Sequence, residues 1–220
     1  MTDKTIWLWH YPDQTKSRGS YLGLLELRAQ ESPEDMYGLY YLAREYTFRG
    51  MWDKAIQWGS YLLARIKSTG NDDMLMEPAL YVLLGESYDK ISANDDCEFC
   101  YRESIKLHPT YRDAYIRLAQ KLAYSNRPAE CFEVLKEMDE KSVRVQDWRN
   151  LDYMWRNWKV GQIKADALMW MGRYAEAAVE MRSALYDIQS DDDKREARQE
   201  GFYGDLKFLQ EELKNAFQTL

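Results

Sequence analysis

The sequence predicts an all-α protein of stacked helical hairpins, and three observations predict it. Apolar residues recur at the helical period, not the strand period, almost throughout the 220 residues. Only five prolines and eleven glycines interrupt that period. The third observation is self-similarity, since a unit of two amphipathic helices joined by a tight turn returns several times. One such unit cannot bury its own apolar faces, so the units must stack.

The first unit contains "LYYLAREYTFRGMWDKAI": Leu39, Leu42, Ala43 and Tyr46 on one helix, Gly50 at the turn, then Trp52 and Ala55. A second has Tyr81, Leu84, Gly85 and Tyr88, followed by Cys97, Tyr101 and a closing Pro109. The third runs through Tyr115, Leu118, Ala119, Leu122, Cys131 and Leu135. A fourth has Ala165 and Leu168, then "MGRYAEA" from Met171 with Ala177. This is the tetratricopeptide (TPR) pattern, whose period is about 34 residues. The small residues Ala43, Gly85, Ala119 and Ala165 mark the register and lie 42, 34 and 46 residues apart. The surplus falls in two insertions between repeats, one around Ser68 to Asp73 and one from about Lys141 to Trp158. The small residues are needed because the two helices of a hairpin cross closely there.

The expected layout is an N-terminal arm over 1–15 and a TPR-like superhelical domain over 16–220. Its repeats cover about 36–67, 78–109, 112–140 and 158–188. The ends of a solenoid need helices with one polar face. "SRGSYLGLLELRAQESP" from Ser17 is expected to supply one, and a single C-terminal capping helix over 191–218, led by Asp191 to Asp193, the other. Trp148, Leu151, Trp155 and Trp158 form a helical stripe in the second insertion, and core packing explains it better than an aromatic ligand platform.

Composition narrows the function classes. A formal net charge of -7 and a pI near 5.1 oppose a nucleic-acid backbone, so no nucleic-acid partner is expected. The apolar run Ile6 to Trp9 is cut off by His10 and Pro12, and no stretch approaches the roughly 20 apolar residues of a membrane span. No membrane partner is expected, and a cytoplasmic location is. Three Cys suit a reducing compartment better than a disulfide framework. Cys97 and Cys100 form a C-x-x-C, but no second pair is spaced to complete a zinc site, and Cys97 and Cys131 share one repeat position, a small buried one. His108, before Pro109, reads as a helix terminus. No nucleophile motif, phosphate loop or metalloprotease motif is present, so no enzyme is proposed for these residues and no cofactor is expected.

Beyond the repeat, "WHYPDQTKSRGSYLGLLE" (Trp9 to Glu26), "YYLAREY" with "MWDKAI", and "ALYVLLGESYDK" resemble the TPR region C-terminal to the catalytic domain of bacterial and phage family 2 glycosyltransferases. "LDYMWRNWKVGQIKADALMWMGRYAEA" (Leu151 to Ala177) is similar to the last repeat of that region. The resemblance implies an accessory, non-catalytic region, because the sugar-nucleotide chemistry of that family resides in an N-terminal fold of parallel strands with a D-x-D metal motif. The paired carboxylates here, Asp72–Asp73, Asp95–Asp96 and Asp191–Asp193, sit in predicted interhelical turns, where they cap helices and face water. No metal site is expected. The resemblance would make His10 a vestigial metal ligand, but it lacks partner ligands and reads as a structural residue of the arm.

In this hairpin geometry the second, fifth, sixth, ninth, twelfth and thirteenth positions of each first helix line a concave groove. Register places Tyr37, Tyr40, Tyr41, Arg44, Thr47 and Phe48 there, then Glu86, Asp89 and Lys90, then Asp113, Arg117, Gln120 and Tyr124, then Gln162, Asp166 and Trp170. The candidate ligand groove is Tyr37, Tyr40, Tyr41, Arg44, Phe48, Glu86, Arg117, Gln120 and Tyr124, with a protein or peptide partner expected. The Lys and Asn clamp with which chaperone-binding TPR domains hold a terminal carboxylate is missing: its positions carry Tyr40, Arg44, Leu83 and Asp113, and only Arg117 matches. The sequence therefore predicts an interaction or scaffolding module. The alternative is the C-terminal part, or a partner subunit, of a glycosyltransferase whose catalytic domain is not in this chain.

Overall fold

The computed structural model describes residues 21–70, 73–141, 157–199 and 201–218. Those residues form eleven helices and no strand. They are α1 (Tyr21–Glu31), α2 (Met36–Phe48), α3 (Trp52–Thr69), α4 (Met76–Lys90), α5 (Asn94–Leu107) and α6 (Arg112–Tyr124), then α7 (Pro128–Lys141), α8 (Asn157–Trp170), α9 (Tyr174–Asp187), α10 (Asp191–Gln199) and α11 (Phe202–Gln218). The pairs α2/α3, α4/α5, α6/α7 and α8/α9 are four antiparallel hairpins, with α1 before them and α10 and α11 after. The fold is an all-α TPR-like solenoid.

Each hairpin turns through three residues, and the middle one always has positive φ: Gly50 at +69°, Ser92 at 62°, Asn126 at 58° and Gly172 at +74°. The residue after it donates its N–H back into the last turn of the first helix: Met51 to the Tyr46 carbonyl (2.9 Å), Ala93 to Tyr88 (3.0 Å), Arg127 to Leu122 (3.0 Å) and Arg173 to Leu168 (2.9 Å). These are Schellman closures, which satisfy the last carbonyls of the first helix while reversing the chain. The left-handed conformation costs an L-residue roughly 1–2 kcal/mol, which glycine avoids and asparagine partly offsets. Ser92 therefore carries a strain that its three counterparts avoid or reduce.

At the crossings, small residues face each other. Ala43, Gly85, Ala119 and Ala165 on the first helices and Ala55, Cys97, Cys131 and Ala177 on the second are all buried. A Cβ built on Gly85 would stand 2.5 Å from Cε1 of Tyr101 on α5, and one on Gly161 2.7 Å from the Ala184 Cβ on α9. Between hairpins, Gly59 of α3 meets Leu84 of α4 in the same way, at 2.8 Å. A core of Leu39, Leu42, Leu80, Tyr115 and Leu135 runs continuously from α1 to α7, and a second centred on Trp158, Met181 and Phe202 gathers α8 to α11. Helix α8 joins them, giving Val160 and Ala167 to the first and Ala165 and Leu168 to the second.

In the first insertion Ser68 and Thr69 continue α3, whose 18 residues exceed the 14 of α5, α7 and α9. Three expectations need correction. The C-terminal cap is two helices, broken where Gly201 takes φ +81°. The cap of α10 is Ser190, whose Oγ accepts from the Asp193 N–H (3.0 Å) while Asp193 Oδ2 faces the Ser190 N–H (3.4 Å), a capping box in place of an acidic cap. The outer face of α1 is not polar either: Leu25 and Ala29 point inward, leaving Tyr21, Leu24 and Leu27 exposed. His10, the N-terminal arm, and Trp148, Leu151 and Trp155 lie outside the described residues. Trp158 is a buried core residue of α8, its ring 6.0 Å from Phe202 in an edge-to-face pair. No described helix is long and apolar enough to cross a membrane.

Opposite effects are expected at two turn-and-crossing positions. Gly85→Ala forces Tyr101 aside and should destabilise by about 1–3 kcal/mol, the usual cost of overpacking. Ser92→Gly should stabilise by up to about 1 kcal/mol by relieving the left-handed turn. Urea midpoints read by circular dichroism measure both, and equal midpoints for the two variants would contradict the hairpin geometry.

Candidate functional site

Among the described residues the first helices of neighbouring hairpins pack on one another, α2 with α4, α4 with α6 and α6 with α8, and the second helices have no packing of that extent. The stack therefore curves with its first helices inside, and their outward positions form the concave face. Burial grades across that face. Fifth-position residues Tyr40, Val82, Ile116 and Gln162 are buried and make its floor. Sixth and ninth positions, including Tyr41, Arg44, Glu86, Arg117 and Gln120, are half-buried. Thirteenth positions stand open: Phe48 is 49% exposed, Trp170 72% and Tyr124 90%, with Lys90 exposed between them.

Register alone puts Tyr40 in the contact surface, but the structure makes it floor: it is 1% exposed, 6.1 Å edge-to-face from Tyr41. Tyr37 is exposed, donates from its hydroxyl to Asp73 Oδ2 (3.1 Å), and borders a cleft of about 790 Å³ with Glu34 and Asp35. Arg44 lies over the Phe48 ring, 4.9 Å from its centroid, a cation–π contact that spreads the guanidinium flat along the face. Thr47 is buried and donates to the Ala43 carbonyl (3.1 Å).

The charges at the centre are already matched. Arg117 reaches Glu86 Oε2 (3.4 Å) on the preceding first helix and Asp113 Oδ1 (3.9 Å) on its own. Asp113 is buried, and that burial pushes its carboxyl up to about 6, with Glu86 pushing the same way and Arg117 opposing. Lys121 donates to Asp89 Oδ1 (2.6 Å) and Asn94 Oδ1 (2.6 Å), so Asp89 is also occupied. Arg44 and Lys90 have no carboxylate within ion-pair distance among the described residues.

The fourth repeat is covered differently. Gln162 donates to Asp205 Oδ2 of α11 (3.2 Å), which places that helix over groove positions of α8. Asp166, one turn beyond Gln162, is pushed up to about 7 by burial and by the charge of Asp205. Trp170, which the register places on the groove although the shorter candidate list leaves it out, is the open aromatic of this repeat.

The three thiols are reduced and buried. Burial pushes Cys97 up to about 11 and Cys100 and Cys131 up to about 12, the reverse of what nucleophilic or redox chemistry requires. No group of His, Cys, Asp or Glu side chains able to hold a metal occurs among the described residues.

No protein-family model and no curated protein matches the sequence. Solved structures do. The chain is similar to the TPR protein TTC0263 of Thermus thermophilus at 19% identity and TM-score 0.58, over 84% of this chain and 88% of that one. It is similar to MamA at 15% identity and TM-score 0.61, over 86% of this chain and 99% of that one. A TPR protein from Parabacteroides merdae is similar at 12% identity and TM-score 0.54, over 86% of this chain and 63% of that one. At such identities the likeness shows the fold, and that fold is the TPR solenoid.

The thiols should label slowly in the native state. With a maleimide at pH 7, all three should react at rates limited by local opening and rise to full labelling only in denaturant. Stoichiometric labelling of Cys97 and Cys131 within seconds in buffer would contradict the close-packed crossings.

Proposed function

We propose that this chain is a non-catalytic TPR interaction and scaffolding module that holds an extended polypeptide segment along its concave face. One observation carries the reading: the open row Phe48, Lys90, Tyr124 and Trp170, one residue from each hairpin at the same register. Aromatic rings provide large contact area at low conformational cost, and a repeated spacing suits a ligand that crosses repeat after repeat. Tyr41 and Tyr37 extend the surface and Arg44 anchors it. With Arg117 and Lys121 already matched by Glu86 and Asp89, the cations left to meet a ligand are Arg44 and Lys90. The preferred segment is therefore acidic with interspersed apolar side chains.

The finer assignment, to the accessory region of a family 2 glycosyltransferase, rests on the resemblance of Trp9 to Glu26 and of the repeats. In that setting the chain acts beside a catalytic domain and performs no sugar transfer itself, as either the C-terminal part of the enzyme or its partner subunit. What supports the non-catalytic part is that the thiols are buried and protonated and that Glu86 with Arg117 and Asp89 with Lys121 are committed to ion pairs. The purified chain is expected to turn over no UDP-sugar; measurable release of UDP in a coupled assay would overturn the non-catalytic reading.

Binding is tested with fluorescent twelve-residue peptides, acidic-aromatic against basic-aromatic, by polarisation. Arg44→Ala and Trp170→Ala should each weaken the acidic series by about 1–3 kcal/mol, with Glu133→Ala on the outer helix α7 as an unaffected control. Tyr40→Ala should instead lower stability, because Tyr40 is floor. Equal binding by all variants, or preference for the basic series, would contradict the groove reading.

A further inference from the structure

The seams between successive first helices differ in one respect. Between the second and third repeats, the ninth-position carboxylate Glu86 meets a cation, Arg117, on the next first helix. At the last seam, α11 takes the place of a next first helix, packing on α9 as α4, α6 and α8 pack on the helices before them. There the ninth-position carboxylate is Asp166, and what α11 brings to it is another carboxylate, Asp205. Gln162 fixes the juxtaposition by donating to Asp205 from one turn below Asp166 on α8.

The cations on the elements around this pair are engaged elsewhere: Lys121 of α6 with Asp89 and Asn94, Lys164 of α8 with Asp139, and Arg173 at the start of α9 with Glu176. From α7 comes the Cys131 thiol, kept protonated by burial. From α9, Tyr174 contributes a ring that packs edge-to-face on Phe208 of α11 at 6.1 Å. From α10, Glu196 is paired with Lys159 (2.6 Å) and Asp193 accepts from the Trp158 indole (3.3 Å). Lys207, on α11 itself, is exposed and directed to Glu211. Helix α11 is held by apolar contacts through Phe202, Phe208 and Leu209, and Asp205 lies on the same helix, bonded to Gln162.

We propose that the α8–α11 seam is a protonation-controlled closure of the fourth repeat: α11 seats while the Asp166–Asp205 pair holds a proton and loosens when both carboxylates are charged. The sign follows from the raised value of Asp166. Its proton is bound more tightly with α11 seated than in water, so seating is favoured below the ordinary aspartate range and is lost progressively as pH rises through about 7. Burial raises Asp205 in the same direction, with the Gln162 bond opposing. Loosening uncovers Gln162 and Asp166, extending the open concave face by one repeat. The closure belongs to the seam and stands whether or not that face binds polypeptide.

The test is native hydrogen exchange on the full chain, with protection factors corrected for the intrinsic pH dependence of exchange. Protection of amides 202–214 should fall about tenfold or more between pH 5.5 and pH 8 as Asp166 ionises. Asp166→Asn should abolish that dependence, and Asp205→Lys should convert the seam to an ion pair and keep α11 protected at both pH values. Circular dichroism establishes that each variant folds. Equal protection of wild-type α11 at both pH values, or an unchanged dependence in both variants, would overturn the proposal.

Discussion

Everything in this molecule depends on how closely the two helices of a hairpin can cross. A left-handed residue in a three-residue turn sets the crossing, and small side chains let the backbones approach. The turn residues Gly50, Ser92, Asn126 and Gly172 recur at the same intervals as Ala43, Gly85, Ala119 and Ala165. The Schellman bonds and the close contacts are thus two halves of one constraint. A larger side chain at Gly85 would displace Tyr101, and with it the ridge on which α6 packs. Because each hairpin packs chiefly on its neighbours among the described residues, such a displacement acts first on the next repeat.

The concave face inherits its chemistry from that packing. Residues pressed toward the next hairpin become floor, as Tyr40 and Asp113 do, and only those at the far end of each first helix stay open. Charges in the middle are consumed by bridges between hairpins: Glu86 with Arg117 and Asp89 with Lys121 lock adjacent first helices in register. Arg117 and Lys121 are largely buried and Lys121 donates a hydrogen bond to Asp89, so these bridges contribute more to register than fully exposed pairs would. Among the described residues, what the proposed binding reading leaves for a partner is a rim of aromatics with Arg44 and Lys90, a narrower surface than the full set of groove positions.

Much of this was legible in the sequence, and the parts that were not have physical causes. Helical period and small-residue spacing reveal the hairpins, because both arise from local geometry. The left-handed turns at Ser92 and Asn126 left no glycine to mark them, and only alignment with Gly50 and Gly172 exposes their role. Register also places Tyr40 on the groove, but its burial depends on how far neighbouring hairpins rotate, which no single repeat encodes. The break at Gly201 and the capping box at Ser190 replace the expected single C-terminal helix, since a helical pattern alone cannot distinguish one helix from two separated by a glycine turn. The like-charged seam between Asp166 and Asp205 joins residues far apart in sequence and had no signal at all.

The central claim is that the inner helices, not the outer ones, carry recognition. Isotope-edited NMR of the full chain, titrated with an acidic-aromatic peptide, tests it most directly. The account predicts shift changes concentrated on the rings of Phe48, Tyr124 and Trp170 and on the outward residues of α2, α4, α6 and α8. Changes confined to α3, α5, α7 and α9 would contradict it.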